Sequence, residues 1–242
     1  MNYSKIILGI NAFHADSSAC LIIDGKLKAA MEEERLNRIK HYPGFPYTAI
    51  KECLSIGSVD EKDITDIAFN TKPFSNLMPK GIHFLKNLSL KGDLLNKQFL
   101  KKKNINKILS ENFNLNNKVK FHYIEHHLAH IASAFYPSEL KDANGLSIDG
   151  SGDFVSFAYA KCKNEKIIIK DKNYFPNSLG IFYHAMTQFL GFQKYGDEYK
   201  IMGLAAYGEP IYFKKIKENL FTNDKELFCL NLDFFNHHKQ DF

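Results

Sequence analysis

One local pattern occurs twice in this chain and constrains its fold more than any other feature. Ile6–Ile10 is a short apolar run that reads as a buried strand. A small polar loop follows, holding Asn11, His14, Asp16, Ser17 and Ser18, and Ala19–Ile23 is a second strand. Asp24-Gly25 is a strong hairpin signal, because a type I′ turn needs positive φ at both central residues. Lys26–Met31 is the returning strand. From Gly145 the order repeats: a strand over 145–148, a polar glycine-rich turn over Asp149-Gly150-Ser151-Gly152-Asp153, a strand over 155–160, a loop holding Asn164, and a strand over 167–171. Repetition at this scale marks an internal structural repeat.

The layout is that of an α/β duplicated fold, the actin-like ATPase (ASKHA, ribonuclease H-like) architecture shared by sugar kinases, Hsp70 and actin. The first half is expected over 1–140. It contains a helix over 46–56 announced by Pro46, a strand within 64–70, a strand over 119–124 and a helix over 126–136 stopped by Pro137. A basic insertion, about 71–117, interrupts it with helices near 83–90 and 105–113. The second half begins at 141, continues with a helix over 179–190, and is expected to be incomplete at 242. Glu32–His41 is an intensely charged link. Cys20 and Cys53 sit in apolar patterns and read as buried thiols.

Composition narrows the class of function. The chain has 242 residues with 45% hydrophobic and 24% charged content, as globular domains do. The formal charge is 32 − 27 = +5, too mild to mark a nucleic-acid binder. The lysines at 80, 86, 91, 97 and 101–103 read as a solvated surface. No apolar run approaches the roughly 20 residues of a membrane span. Four scattered cysteines without a CxxC pair predict neither a zinc site nor a disulfide framework. A cytoplasmic protein without signal peptide, membrane or nucleic-acid partner is expected.

His126 and His130 stand at i and i+4 on a predicted helix, so they share a face, and two imidazoles at this spacing can bind one metal ion. The set needs a carboxylate, and Asp149, at the end of the next strand, is the candidate. Two surface histidines on a helix would show the same spacing. His14, in the first polar turn, has the pKa range of a general base, although a loop histidine without a role fits as well. Arg35, Arg38, Lys40 and His41 read either as a solvated run or as a holder of an anion. The stretch 196–208, dense in small residues, carries Lys200, which is placed to meet a phosphate or carboxylate.

Together these segments resemble the N-terminal part of carbamoyltransferases of the NodU/CmcH type, which include nodulation-factor and antibiotic O-carbamoyltransferases. The matching stretches are ILGINAFHADSSACL (7–21), EEERLNRIKH (32–41), HHLAHIASAFYP (126–137), SIDGSG (147–152) and 178–208, from SLGIFYHAMTQFLGF through DEYKIMGLAAYG. They follow family order over nearly the whole chain. The resemblance implies an actin-like domain related to the tRNA threonylcarbamoyltransferase. In the family, carbamoyl phosphate and ATP give carbamoyl adenylate, whose carbamoyl group passes to a hydroxyl of a small molecule or sugar. Carried over by position, His126, His130 and Asp149 ligate a divalent metal, an iron ion (Fe2+), and His14 is the base. Ser17, Ser18, Gly150, Ser151 and Gly152 line the phosphates, and Lys200 lies near the nucleotide. Family members are much longer, so the isolated chain is expected to be inactive unless the missing C-terminal half joins it as a separate chain. Two rival readings are a non-catalytic truncated or split-gene subunit and a tRNA modifier. The 196–208 stretch and the weak basic charge argue against the second.

Overall fold

The structure, a computed structural model, describes residues 5–86, 104–222 and 227–238. They form a mixed α/β fold that divides into two units, one of residues 1–75 and 91–125 and one of residues 76–90 and 126–242. Lys91, Lys97 and the lysines at 101–103 lie outside the described residues.

In the first unit, β1 (Ile6–Asn11), β2 (Ser18–Ile23), β3 (Lys26–Glu32), β4 (Asp66–Phe69) and β5 (Lys120–Tyr123) form one sheet in the order β3-β2-β1-β4-β5. The first three strands are antiparallel, and β4 and β5 join parallel to β1. Ile6, Leu8 and Ile10 alternate inward, as do Ala19, Leu21 and Ile23. The β2–β3 turn is the two-residue Asp24-Gly25, with φ of 46° and 78°. Helix α2 (Tyr47–Gly57) covers β2 and β3 with Ala49, Ile50, Cys53 and Leu54. These are spaced along one helical face. Helix α4 (Ile105–Asn112) adds Ile105 and Leu109 to the same core. Burying each such aliphatic side chain stabilises the fold by about 1.5–3 kcal/mol.

Two local readings change here. The charged link contains a five-residue helix, α1 (Glu33–Asn37). Glu33 is only 4% exposed, because its carboxylate accepts hydrogen bonds from the Thr48 and Ala49 N–H groups at 3.2 and 2.7 Å. It thereby serves the orphan donors at the start of α2. Cys53 is buried and donates its thiol to the Ala19 carbonyl, and burial pushes its pKa up to about 11. Cys20, on the opposite face of β2 from Ala19 and Leu21, is only half-buried.

In the second unit, β6 (Asp142–Gly152), β7 (Val155–Lys163) and β8 (Lys166–Tyr174) form an antiparallel three-stranded sheet. The β7–β8 turn is Asn164-Glu165, both at positive φ. Helix α5 (His126–Phe135) packs on all three strands through Ile131 and Phe135, which meet Ala158, Ala160 and Cys162. By packing, α5 therefore goes with β6–β8, ahead of the boundary near 140 expected from the sequence. Helix α3 (Leu77–Lys86) belongs to this unit, with the His83 ring edge-on to Phe154 and Phe175. Helices α6 (Leu179–Phe189), α7 (Glu198–Ala205) and α8 (Phe213–Leu220) follow, with β9 (Phe221–Thr222) and β10 (Cys229–Leu230) paired as a short ladder.

The expected polar turn over 149–153 is shorter than its sequence suggests. Strand β6 continues to Gly152 through a register shift between Ile148 and Gly152, and only Asp153-Phe154 turn, at φ of 52° and 74°. Ser18 likewise lies within β2, opposite Asn11 and Glu32.

Candidate metal centre

The first turn of α5 is fixed by Asp153, whose carboxylate accepts the His126 N–H at 3.0 Å. One turn on, His130 brings its Nε2 to 3.0 Å from the His126 Nε2. The Asp149 Oδ2, on the bulged end of β6, lies 2.7 Å from the His126 Nε2 and 3.7 Å from the His130 Nε2. The three donor atoms therefore all lie within 4.8 Å of one another. The His126 imidazole, and then that of His130, hold the Asp149 carboxyl well below the usual carboxylate range. A single Nε2 has either one lone pair or one N–H, so it cannot serve a carboxylate and a second imidazole equally well. A cation among the three would satisfy all of them at once. Two imidazoles and a carboxylate are also a normal donor set for a divalent transition metal. The residues present therefore fit a metal ion. His126 and Asp149 form the covered side, and His130 is exposed.

The surrounding chain enforces this arrangement. A Cβ on Gly152 would lie 2.0 Å from His126 Cδ2, so only glycine admits the imidazole there. A Cβ on Gly180 would lie 2.5 Å from the Gly150 nitrogen, so glycine also permits the start of α6 to approach Asp149. Ser178 caps α6 by accepting the Ile181 N–H at 3.0 Å and donates its hydroxyl to the Asp149 carbonyl at 3.0 Å. His127 is fully buried. Its Nε2 donates to the Val155 carbonyl and its Nδ1 accepts from the Ser147 hydroxyl, both at 2.8 Å. The carbonyl can only accept, which fixes this tautomer and leaves no nitrogen for a ligand. Ser178 before an apolar run is a readable cap signal. Gly180 and Asp153 act through partners distant in sequence and leave no local signal.

The other predicted residues are divided between the two units. His14, Ser17 and Ser18 belong to the first unit. The His14 Nδ1 donates to the Ala15 carbonyl at 3.3 Å, which leaves its basic lone pair on Nε2. The Ser17 N–H donates to the Tyr42 carbonyl at 3.1 Å. In the second unit the Gly150 N–H donates to the Asp149 Oδ1 at 2.6 Å, and Ser151 is half-buried beside it. Lys200 pairs with Asp197 at 2.7 Å, which raises the lysine pKa and lowers that of the carboxyl. Its ammonium also lies 5.7 and 5.8 Å from the ring centroids of Phe192 and Tyr199.

A family profile described as "Carbamoyltransferase N-terminus" matches residues 6–241. The uncharacterized protein sll1178 of Synechocystis sp. is 35% identical over 244 residues, covering 96% of this chain and 39% of that protein. Nodulation protein NolNO of Sinorhizobium fredii is 35% identical over 215 residues, covering 87% of this chain and 30% of that protein. The chain thus spans 39% and 30% of the length of these two curated relatives. Among solved structures, YeaZ from Pseudomonas aeruginosa is similar over 72% of this chain and 68% of its own, with a TM-score of 0.41 and 10% identity. Among the described residues, no helix is long and apolar enough to cross a membrane.

Proposed function

The chain belongs to the carbamoyltransferase family, and from that premise we propose that it forms the actin-like, nucleotide- and metal-binding part of an O-carbamoyltransferase. The observation that carries the proposal is the convergence of His126, His130 and Asp149 in a chain matched end to end by that family. The strand order β3-β2-β1-β4-β5, and the second meander with its own two-residue hairpin, support the duplicated actin-like reading.

In this reading the donor is carbamoyl adenylate, made from carbamoyl phosphate and ATP, and the acceptor is a hydroxyl of a small molecule or sugar. The hydroxyl oxygen attacks the carbamoyl carbon and the bond from that carbon to the AMP phosphate oxygen breaks. AMP leaves, and His14 Nε2 takes the hydroxyl proton. His126, His130 and Asp149 would hold the divalent iron, which when bound supplies a positive charge to polarise the carbamoyl oxygen or neutralise phosphate. Ser17, Ser18, Gly150, Ser151 and Gly152 would line the phosphates. For this the Ser17 and Gly150 amides would exchange their present partners, the Tyr42 carbonyl and Asp149 Oδ1, for the anion. Lys200 would arrive already partnered by Asp197, so it would orient more than neutralise. The adenylate-forming step is assigned to sequence beyond the matched third of the relatives.

Anaerobic Fe(II) binding to the purified chain tests the metal assignment. His126→Ala with His130→Ala is expected to remove one equivalent per chain. Gly152→Ala, which pushes a methyl into the His126 ring, is expected to weaken that equivalent at least about tenfold. Stoichiometry unchanged by the double substitution would overturn the assignment.

A further inference from the structure

The first unit holds a second convergence of ligand-type atoms, independent of the site above. Asp16, Glu34 and His41 each offer one donor atom, and these atoms lie within 4.8 Å of one another, all on half-buried residues. The sequence gives the segment around His41 a basic character, yet its side chains turn to carboxylates. The Arg35 guanidinium goes to Glu32 at 3.1 Å. The His41 Nδ1 meets the Asp16 Oδ1 at 2.8 Å, and the His41 N–H donates to the Glu34 Oε2 at 2.8 Å.

The backbone is built to hold this arrangement. Asp16 and His41 both occupy the left-handed region, at φ of 61° and 55°, a conformation that costs a non-glycine residue energy. The two segments are strapped together on either side of these residues. The Phe13 N–H donates to the Gly44 carbonyl, the Ser17 N–H to the Tyr42 carbonyl, and the Glu33 N–H to the Ser17 carbonyl. Ser17 supplies a further observation. Its hydroxyl is fully buried and bonds no described group, which is the kind of orphan that an ion or its coordinated water satisfies.

We propose that Asp16, Glu34 and His41 bind a second divalent cation. Two carboxylates and a neutral imidazole carry two negative charges, which one such ion balances. In an octahedron with ligand bonds of about 2.1 Å, neighbouring ligands stand about 3.0 Å apart. The Asp16–His41 separation of 2.8 Å is already within about 0.2 Å of that edge, so a cation can replace the shared proton with little rearrangement. Oxygen-rich donors with one imidazole suit manganese(II) or magnesium better than a thiolate-seeking ion.

Manganese(II) alone is the probe, with bound ion counted by equilibrium dialysis and free ion by electron paramagnetic resonance, on the full 242-residue chain. Two equivalents are expected for the unaltered chain. One is expected to remain after His126→Ala with His130→Ala, and that one is expected to be lost on adding Asp16→Asn and His41→Gln. Glu34→Gln, which keeps the hydrogen bond from His41, is expected to weaken the second equivalent at least about tenfold with an unchanged thermal melt, which separates ligand loss from misfolding. Retention of the second equivalent through Asp16→Asn with His41→Gln, or its absence from a chain that retains the first, would overturn the proposal. Loss of the His126 site alone would leave it standing, so the two metal assignments fail separately.

Discussion

In the first unit the leading strand, β1, lies between β2 and β4, while in the second unit the corresponding strand, β6, pairs only with β7 among the described residues. The interiors differ in the same sense. Under α2 and around β1 one large apolar cluster runs from Ile6 to Phe113, with buried polar groups such as Glu33 and Asp66 a minority beside it. Under α5 the apolar cluster is small, and His127, Ser147, Ser156 and Asn173 are buried beside it as hydrogen-bonded groups. Two similar meanders thus serve different ends. The first is a scaffold held by apolar burial. The second is a platform whose buried polar network orients a helix and its histidines, and a fully satisfied network of this kind specifies geometry more than it adds stability.

The largest test of that contrast is Leu21→Ala. Leu21 is fully buried in β2, and its truncation is expected to cost about 2–5 kcal/mol in urea unfolding. A loss under 1 kcal/mol would mean that the first unit is not the apolar scaffold described. A smaller effect is expected at Asp66, a buried carboxylate of the first unit. It pairs with Lys5 at 2.9 Å and His122 at 2.7 Å, and Lys5 foremost holds its carboxyl well below the usual range. A carboxyl lowered in the folded state contributes stability that is fully present above the unfolded value of about 3.9 and fades as pH falls below it. Asp66→Asn is therefore expected to cost about 1–3 kcal/mol at pH 7, with the gap from the unaltered chain narrowing at pH 3. A gap that widens in acid would reverse the assignment. The smallest effect is expected at Ile148→Ser. Leu146 and Ile148, on the end strand β6, are 64% and 55% exposed, so the change should stay within about 0.5 kcal/mol. A loss comparable to that of Leu21→Ala would show that the two sheets are more alike than their burial indicates.

Much of this was legible in the sequence for a simple reason: periodicity reports which face of an element is buried. Helix α2 follows from it, while β1 and β2 follow from short apolar runs and the β2–β3 hairpin from its Asp24-Gly25 turn. The His126–His130 spacing was legible because a helix converts i and i+4 into neighbours. What stayed hidden depends on partners far away in sequence. Glu33 looks like one more surface charge until the N–H groups of Thr48 and Ala49 are seen to need it. The 149–153 segment looks like a loop because Asp, Gly and Ser dominate it, but a bulge lets β6 continue there and carries Asp149 to the histidines. His41 looked like part of a basic run, and only the folded turn shows Asp16 waiting for it.

The close approaches at Gly152 and Gly180 have a consequence for how this protein can vary. Neither residue offers a functional group, yet every side chain larger than hydrogen at either place collides with the frame of the site: at 152 with an imidazole, at 180 with the backbone of Asp149 and Gly150. In a saturation scan scored by metal occupancy, both positions should therefore rank with the ligands themselves, and a reader looking only for reactive side chains would pass over two of the least replaceable residues in the second unit.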